Sequence, residues 1–598
     1  MDKNTATGLV LIFLLMIGWF YYTMPSEEEL ALQRQEQAIQ DSLAIVEQQR
    51  QDSLAALDST VQDEPIGPTY REQPDRNAVP ESGIFSTTEQ FQEERIIVNT
   101  PLYTVEFTNK GAGPSSFQLK KYDTWDGQPV QLIRDTTRSA YNVGFLSTEN
   151  YNVETQNIIF ESLNNESSIQ INEGGSREIQ YRLTVEGGRQ LLYTYTLNGD
   201  SYEIDFEVQF IGLKDYVVGN AVDFGWTSPL NFTEKDKVQD ALVTSAYVYT
   251  GGELENVKLT EAGRSEPTFN GQVDWVATKT KFFTQLIKPQ SPTEAALITA
   301  EVTGETDNPD TKHLYTSSIR TDIGSEGTAS FRMYLGPMKY KELKQVDEHA
   351  YDMVDVGWSW LRWFSDPFVR FLVIPFFEFM SGAIGSVGLA IIIFAAGVKL
   401  VLSPLTFKSY KSMAAMRELQ PQLKEVQEKY KDNPQKQQQE TMKLYKKNKV
   451  NPLGGCLPNL LQFPILITLW RYFQNSILIR QEEFLWAADL SAPDYILELP
   501  FSIPFLGDQL AGFVLFMTAA MVVQSKLTGG MSGGGGGSNP MADQMKILQY
   551  IFPIMLLFIF NNFASGLSLY YLVFNVLSII QQFFINRSIH NAKEATAS

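Results

Sequence analysis

The feature that most constrains the fold of this chain is an apolar run, VGLAIIIFAAGVKLVLSPL, that contains a single cation. It extends from Val387 to Leu405, which is long enough to cross a bilayer as a helix. Lys399 lies inside the run, and a charge there is costly unless it faces water or a partner. Snorkelling to the surface is the alternative, although roughly 13 Å of helix separates Lys399 from Lys408, where the polar loop begins. We therefore interpret Lys399 as part of a polar intramembrane site that faces water.

The distribution of charge predicts how the chain is oriented. Its 598 residues exceed the usual length of one domain, so we expect a membrane part and a soluble part. The net charge of -21 conceals a strongly basic stretch from 408 to 449, which the positive-inside rule places in the cytoplasm. Most acidic residues precede residue 350 and are therefore expected on the other side of the membrane.

Hydropathy and composition predict a polytopic α-helical membrane protein with six spans and a large β-sandwich domain. A separate apolar run lies near the N-terminus, from Thr7 to Met24. No small-x-small cleavage site follows it, so we interpret it as an uncleaved anchor rather than a signal peptide. Both termini are then cytoplasmic. The expected parts are an N-terminal anchor at 1–25, an acidic helical spacer and linker at 26–94, a β domain outside the cytoplasm at 95–350, an interfacial amphipathic helix at 351–383, a core span at 384–407, a basic cytoplasmic hairpin at 408–452, four further core spans within 453–586 with a glycine-rich loop at 528–538, and a short tail at 587–598.

The soluble part and the segment after it have distinct patterns. Residues 95–345 hold short alternating segments separated by Asn-Gly and Gly-Gly turns, which are typical of an antiparallel β-sandwich. The chain has three histidines, none paired at metal-ligand spacing, so we expect no metal site, cofactor or catalytic residue. The tryptophan-rich stretch that follows is interrupted by Pro367 and Pro375, which favours an interfacial helix over a crossing one.

Polar residues recur at helical spacing within three spans. Such stripes often only join one helix to another by hydrogen bonds. Here the cation has no Asp or Glu inside any span, so its acidic partner is expected to come from a substrate. Thr406 and Ser578 continue two of these stripes. The main candidates are Lys399, Ser403, Asn459, Gln462, Tyr571, Asn575 and Gln582.

The basic cytoplasmic stretch has an amphipathic pattern. Its apolar residues recur with charges between them, which predicts two helices that turn near Asp432-Asn433-Pro434. A hairpin that merely lies on the lipid surface is one interpretation. A platform that receives hydrophobic polypeptide on a methionine-rich face is the other. The candidate residues are Met413, Met416, Arg417, Lys424, Lys443 and Lys446.

Four ordered segments resemble the YidC/Oxa/Alb family of membrane-protein insertases, in the Gram-negative YidC form. They are SPLTFKSYKSMAAMRELQPQLKE, KVNPLGGCLPNLLQFPI, LWAADLSAPDYIL and SGLSLYYLVFNVLSIIQQ. The resemblance implies a five-helix core around a hydrophilic groove, and a periplasmic β-supersandwich. It also implies that Lys399 occupies the position of the groove cation, which is usually Arg, and that Tyr571, beside Tyr570, is the groove tyrosine. Lysine keeps the charge and loses the bidentate geometry of arginine.

The resemblance implies an inner-membrane insertase and chaperone that is not an enzyme. It would move nascent transmembrane segments from the cytoplasm into the membrane through the groove, alone or with the Sec translocon. Expected partners are nascent membrane proteins, the Sec translocon, membrane lipids and the ribosome, with no specific nucleic acid. A secondary transporter with Lys399 at its solute site is an alternative, although the spans show no obvious internal repeat. A membrane-tethered carbohydrate-binding domain is another, for which residues 95–345 should suffice.

Overall fold

The computed structural model of this chain describes residues 85, 91–134, 140–229, 231–259, 261–304, 311–430, 433–448, 457–503, 506–529 and 551–597. The expected N-terminal anchor, nearly all of the spacer and linker, and the glycine-rich loop beyond residue 529 lie outside the described residues. The described residues form a β domain followed by apolar helices.

The strands of the described residues are short and follow one another closely. In chain order they are β1 Arg95–Asn99, β2 Tyr103–Thr108, β3 Gly113–Asp123, β4 Pro129–Ile133, β5 Ala140–Leu146, β6 Asn152–Glu154, β7 Glu161–Ser162, β8 Ser168–Gln170, β9 Ser176–Val185, β10 Arg189–Asn198, β11 Glu203–Ile211, β12 Ala221–Pro229, β13 Ser245–Thr250, β14 Glu253–Val257, β15 Gly263–Ser265, β16 Thr268–Asn270, β17 Val273–Lys279, β18 Phe283–Pro289, β19 Thr293–Thr303, β20 Lys312–Asp322, β21 Thr328–Pro337, β22 Tyr495–Ile503 and β23 Gly507–Ala511.

The first twenty-one strands of the described residues form three sheets. One has the order β4-β3-β2-β1-β8, and a second has the order β14-β13-β17-β18-β21-β11-β10-β9-β7. The third has the order β15-β19-β20-β12-β5-β6, with β16 also paired to β19. Within the described strands the pairings are antiparallel apart from β1 with β8. The hairpin β22-β23 stands apart, between two apolar helices.

The three large sheets pack as a sandwich. Along β10 and β11 every second side chain is buried, which is the pattern of strands with one face on a core. Tyr195 of β10 stacks on Phe206 of β11 at 4.5 Å between ring centroids. Phe107 and Phe224, from the other two sheets, each approach one ring of this pair at 4.9 Å. Both smaller sheets therefore cover one face of the largest sheet, and the predicted β-sandwich is confirmed.

The helices divide between the two parts. The described α-helices are α1 Lys237–Val243, α2 Tyr340–Val346, α3 Arg362–Phe368, α4 Ile374–Ile384, α5 Val387–Glu418, α6 Gln420–Lys429, α7 Pro434–Lys447, α8 Leu457–Asn475, α9 Gly512–Gly529, α10 Ile551–Phe560 and α11 Ser565–Ala597. Short 3₁₀ turns are Thr155–Asn157, Glu186–Gly188, Lys214–Tyr216, Val218–Asn220, Ala350–Met353, Ser359–Leu361 and Ile477–Ile479.

Three helical stretches of the described chain are long and apolar enough to cross a membrane. They are Arg362–Ile384, Val387–Phe407 and Ser565–Ile585. Two shorter apolar helices are Gly512–Leu527 and Ile551–Phe560. Apolar helices thus follow the β domain, as hydropathy predicted.

We predicted that Pro367 and Pro375 would interrupt the segment expected to be an interfacial helix. In the structure the segment instead remains helical through both prolines. Pro367 lies inside α3, and Pro375 lies in the first turn of α4. A π-helical turn, Val369–Val373, joins the two helices. Proline lacks the N–H that an α-helix needs, and the wider π turn lets the chain continue without that hydrogen bond.

The first core helix is longer than the sequence predicted. We expected the hairpin to begin at residue 408, but α5 continues without a break to Glu418. Residues 408–418 contain good helix formers and neither Gly nor Pro, so no local signal ends the helix there. Met413, Met416 and Arg417 therefore lie on the extension of α5 rather than in the hairpin.

The hairpin consists of α6 and α7. Pro421 lies in the first turn of α6, where a proline is tolerated because the N–H is not needed. Asn433 caps α7, since its side chain accepts a hydrogen bond from the backbone N–H of Lys436 at 3.0 Å. The turn between the helices thus lies where the sequence predicted it.

Candidate functional site

Lys399 faces α11 across the interface between two long helices. Its Nζ donates a hydrogen bond to Ser578 Oγ at 2.6 Å and lies 4.6 Å from the ring centroid of Phe574. The Ser578 hydroxyl in turn donates to the backbone carbonyl of Phe574 at 2.7 Å. Lys399 is only 7% exposed, and no carboxylate of the described chain lies within ion-pair distance of it. The side chain therefore does not snorkel toward Lys408. We expected it to face water, but in the structure it is buried.

A second polar contact joins the same two helices nearer the hairpin. Gln581 Nε2 donates to Ser403 Oγ at 2.8 Å. Thr406 Oγ1 lies 3.0 Å from Gln581 Nε2 and 3.2 Å from Gln581 Oε1, so its hydroxyl is paired with the same amide. The predicted α5 stripe of Lys399, Ser403 and Thr406 thus faces α11 along its length.

Gln581 was not among the residues predicted from the sequence. The predicted residue was Gln582, which continues the i, i+4 series from Ser578, whereas Gln581 lies at i+3. Positions i+3 and i+4 share a helix face. Gln582 is also almost fully buried, at 1% exposed, so both glutamines lie inside the helix cluster.

The two adjacent tyrosines of α11 point toward different neighbours. The Tyr571 ring approaches Phe560 of α10 at 5.7 Å, whereas the Tyr570 ring approaches Phe394 of α5 at 6.3 Å. Tyr570 is fully buried, and its hydroxyl has no hydrogen-bond partner among the described residues. Asn575 Nδ2 donates to the backbone carbonyl of Tyr571 at 2.8 Å, within its own helix.

The remaining candidates on α8 are less closely defined. Gln462 is half-buried, and the side chain of Asn459 lies outside the described residues. The structure therefore brings together the candidates of α5 and α11, and the contribution of α8 stays a prediction.

The hairpin candidates are described in part. Lys443 Nζ pairs with Glu440 at 2.8 Å on the surface of α7, and Lys446 is exposed. The side chains of Met413, Met416, Arg417 and Lys424 lie outside the described residues. The exposed basic face of α7 suits an anionic surface.

The far end of the helix cluster is covered by the loop 476–494. A Cβ added at Gly388, in the first turn of α5, would overlap the ring of Phe484. The Leu490 carbonyl accepts from Gly566 N at 2.9 Å, in the first turn of α11. The loop thus packs directly on the backbone at the start of both long helices.

The same loop also caps α9. Asp494 Oδ2 accepts hydrogen bonds from Phe513 N at 2.7 Å and Trp486 Nε1 at 2.8 Å. A carboxylate at a helix N-terminus is stabilising because it pairs the free N–H groups. Burial nevertheless raises the pKa of Asp494 above its usual value, with these hydrogen bonds acting in the opposite direction.

The side chains around Lys399 are suited to binding a polar group rather than a metal ion. In the described ranges no three His, Cys, Asp or Glu side chains come close enough to hold a metal ion. What the cluster presents is one cation and a series of amides and hydroxyls, which can bind an acidic or polar group by hydrogen bonds.

The whole chain matches known proteins. Residues 379–593 match the family described as 60Kd inner membrane protein, and residues 95–371 match the YidC periplasmic domain. A membrane protein insertase YidC from Chloroherpeton thalassium is 37% identical over 604 residues, covering 98% of this chain and 96% of that protein. The chain belongs to the YidC family of membrane protein insertases. YidC proteins of this family are inner-membrane proteins with apolar helices and a periplasmic domain.

Other YidC proteins give the same assignment. The YidC of Chlorobium limicola is 34% identical over 594 residues, covering 98% of this chain and 95% of that protein. A crystal structure of an active YidC insertase with its first transmembrane domain resolved aligns with 82% of this chain and 92% of that chain, at 20% identity and a TM-score of 0.31. The assignment rests on the sequence matches. Because the YidC family consists of insertases, neither a transporter nor a carbohydrate-binding function is favoured.

Proposed function

We propose that this protein inserts nascent transmembrane segments into the inner membrane, with the Lys399 cluster as the substrate site. The observation that carries the proposal is the pairing of a buried cation with a neutral hydroxyl, Ser578. A hydrogen bond between two charged groups is roughly twice as strong as one with a neutral partner. An acidic residue of a substrate would therefore displace Ser578 from the ammonium of Lys399.

The rest of the cluster suits a substrate of varied sequence. Amides and hydroxyls from Ser403, Gln581 and Asn575 can pair with polar backbone or side chains, while phenyl rings and tyrosines contact apolar ones. Partition of the apolar segment into lipid supplies the driving force. Polar groups of the cluster lower the cost of moving the polar flank across the membrane. Asn459, Gln462, Tyr570, Tyr571 and Gln582 are proposed to line the same path.

We also propose how the chain is oriented in the membrane and which partners it meets. The chain crosses the membrane six times, with both termini and the α6–α7 hairpin in the cytoplasm and the β domain in the periplasm. The excess of lysine in 408–449 and the acidic character of the β domain support this orientation. Nascent chains meet the hairpin first, where Lys443 and Lys446 are available to lipids and to the ribosome. We propose that the protein works alone or with the Sec translocon as a partner.

The experiment is an insertion assay in vesicles depleted of other insertases. The substrate is a short membrane protein with an acidic translocated tail, and insertion is measured by protease protection. The variants are Lys399→Ala, Lys399→Arg and Lys399→Glu, with Lys526→Ala as a control at an exposed helix end.

We expect the Lys399→Ala and Lys399→Glu variants to insert the substrate roughly tenfold or more slowly than wild type, since a hydrogen bond to a charged group contributes about 1.5–3 kcal/mol. The Lys399→Arg variant and the Lys526→Ala control should retain activity. Neutralising the acidic tail should remove the difference between wild type and Lys399→Ala. Equal activity of all variants would disprove the role of Lys399 as the receiver of substrate charge.

A further inference from the structure

The hairpin β22–β23 is apolar, and the rest of the described protein leaves it uncovered. Four consecutive residues of its first strand, Tyr495 to Glu498, are exposed. Because successive side chains of a strand point to opposite faces, neither face of β22 packs on a core. Phe501 is 62% exposed, and Ile496 and Leu497 are each about half exposed. A group of exposed apolar side chains of this kind marks a contact with a membrane or a partner.

The hairpin is nevertheless held in a defined position along β23. Asn561, which follows α10, donates from Nδ2 to the carbonyls of Leu506 and Gln509 at 3.0 and 2.7 Å. Its Oδ1 accepts a hydrogen bond from the backbone N–H of Ala511 at 2.9 Å. A two-stranded hairpin is only marginally stable by itself in water. These three bonds fix it to the helices, so the exposure of β22 is a built feature of the fold.

The hairpin lies at one end of the apolar helices. β23 ends at Ala511, and α9 begins with the next residue, Gly512. The Tyr495 hydroxyl donates to Asn562 Oδ1 at 2.9 Å, in the turn between α10 and α11. The loop 476–494, which leads into β22, is bonded to the β domain. Since that domain matches the YidC periplasmic domain, the hairpin lies at the outer border of the membrane.

The exposed apolar surface of the hairpin continues onto α9. A Cβ added at Gly512 would lie 3.1 Å from Ile496 Cδ1 and 2.6 Å from Trp486 Nε1, so both side chains lie over the first turn of that helix. The ring centroid of Trp486 is 5.6 Å from that of Phe516, one turn further along α9. All three side chains, Ile496, Trp486 and Phe516, are exposed. Because α9 is an apolar helix of an inner-membrane protein, this shared surface faces lipid.

The charges of the segment limit how deep it can lie. Residues 481–511 contain no Lys or Arg, which suits the outer side of the membrane and offers nothing to bind an acidic partner. The hairpin does carry Glu498 and Asp508, and carboxylates are costly in hydrocarbon. The free edges of a two-stranded sheet also need water or headgroups for their N–H and C=O groups. Tryptophan and tyrosine, here Trp486 and Tyr495, concentrate at the headgroup level.

We propose that β22–β23 lies in the headgroup region of the outer leaflet, with Ile496, Leu497 and Phe501 in contact with the upper part of the acyl chains. Lipid covers the exposed surface, because that surface is continuous with the lipid-facing side of α9. The hairpin thereby anchors the start of α9 and the end of α10 at the membrane border. This placement rests on the membrane location of the family and does not depend on the role proposed for Lys399.

The test measures lipid contact at single positions of the full-length protein. Cys456 is replaced by serine, and one cysteine is introduced by Phe501→Cys or by Leu497→Cys and labelled with the fluorophore NBD. The protein is placed in phosphatidylcholine nanodiscs. Lipids that carry a doxyl group, either near the headgroup or deep in the acyl chain, quench from the membrane, and iodide quenches from water.

Two control positions define the limits of the measurement. Val523→Cys, at an exposed apolar position of α9, reports contact with lipid. Lys110→Cys, at an exposed position of the β domain, reports contact with water. Lys110 precedes β3, whose other end, Asp123, meets Arg480, and a strand of 11 residues spans roughly 35 Å. Lys110 is therefore far from the membrane border.

We expect doxyl lipid to quench NBD at positions 497 and 501, more strongly from near the headgroup than from deep in the acyl chain, with little quenching by iodide. Position 523 should be quenched by doxyl lipid, and position 110 by iodide alone. Quenching of 497 and 501 by iodide alone would overturn the proposal, because the hairpin would then stand in water. Protection from both quenchers would also overturn it, because protein, such as a second copy of this chain, would then cover the hairpin.

Discussion

Arg480 is bound to Glu234 across the junction between the helices and the β domain, with 2.8 Å between Nε and Oε1. Both side chains are buried, at 2% and 11% exposed. Arg480 Nη2 also donates to the carbonyl of Asp123 at 2.6 Å. Gln481 reaches the same carbonyl at 2.9 Å, so two consecutive residues of the loop 476–494 hold the β domain. This loop packs at its other end on α5, α9 and α11, and it therefore links the β domain to the helix cluster.

Removal of one partner of this buried pair should loosen the junction. We expect Arg480→Met or Glu234→Gln each to lower the free energy of unfolding by about 3–5 kcal/mol, because the remaining charge or polar group stays buried without its partner. Thermal unfolding of the purified protein and protease cleavage at the junction measure this. The double variant should lose less free energy of unfolding than the sum of the losses in the two single variants. A loss equal to that sum would contradict a direct interaction between Arg480 and Glu234.

Gly388 should tolerate no side chain. Gly388→Ala would place a Cβ within the ring of Phe484, and overpacking of this kind costs about 1–3 kcal/mol. Gly397→Ala, in the same helix but with nothing within 4 Å, is the control and should be neutral or slightly stabilising. Thermal unfolding in one detergent compares them. Adding Phe484→Ala to Gly388→Ala should recover part of the loss, and no recovery would refute the contact.

Gln581 should stabilise the packing of α5 on α11. Gln581→Leu removes its hydrogen bonds to Ser403 and Thr406, and interhelical hydrogen bonds in membranes contribute roughly 0.6–1.7 kcal/mol. We expect the unfolding midpoint to fall and the insertion rate to decrease less than in Lys399→Ala. Phe583→Leu, at an exposed position of α11, should change neither quantity.

Lys279 should make stability depend on pH in lipid-free detergent. Burial lowers its pKa from 10.5 to about 8. Between these values the unfolded chain binds more protons, so the free energy of unfolding rises with pH. Lys279→Met should therefore be more stable than wild type near pH 7, by up to about 3 kcal/mol, and this advantage should vanish by pH 10.5. Unfolding midpoints measured from pH 7 to 10.5 test the sign, and a constant difference would contradict it.

Much of the fold could be predicted because its signals are local. Alternating burial along strands such as β10 and β11 follows directly from alternating residue types. The apolar stretches that became α5 and α11 are long enough to identify by hydropathy alone. The end of α5 was not predictable in this way. The change from apolar to basic residues at Lys408 indicates that the helix leaves the apolar environment, but the backbone stays helical to Glu418. Nor could the sequence predict that Pro367 and Pro375 would lie on either side of a π turn, Val369–Val373, that joins two helices.

The sequence by itself determined which residues are polar within apolar helices, and thus identified Lys399, Ser403, Asn575 and Gln582. Helical periodicity fixes the face on which such residues lie, since it depends only on spacing. The tertiary structure alone decided their partners: Ser578 for Lys399, and Gln581 for Ser403. It also decided that Arg480 meets Glu234, 246 positions away in the chain. Contacts between distant segments depend on how whole elements pack, and no local pattern in either segment encodes that arrangement.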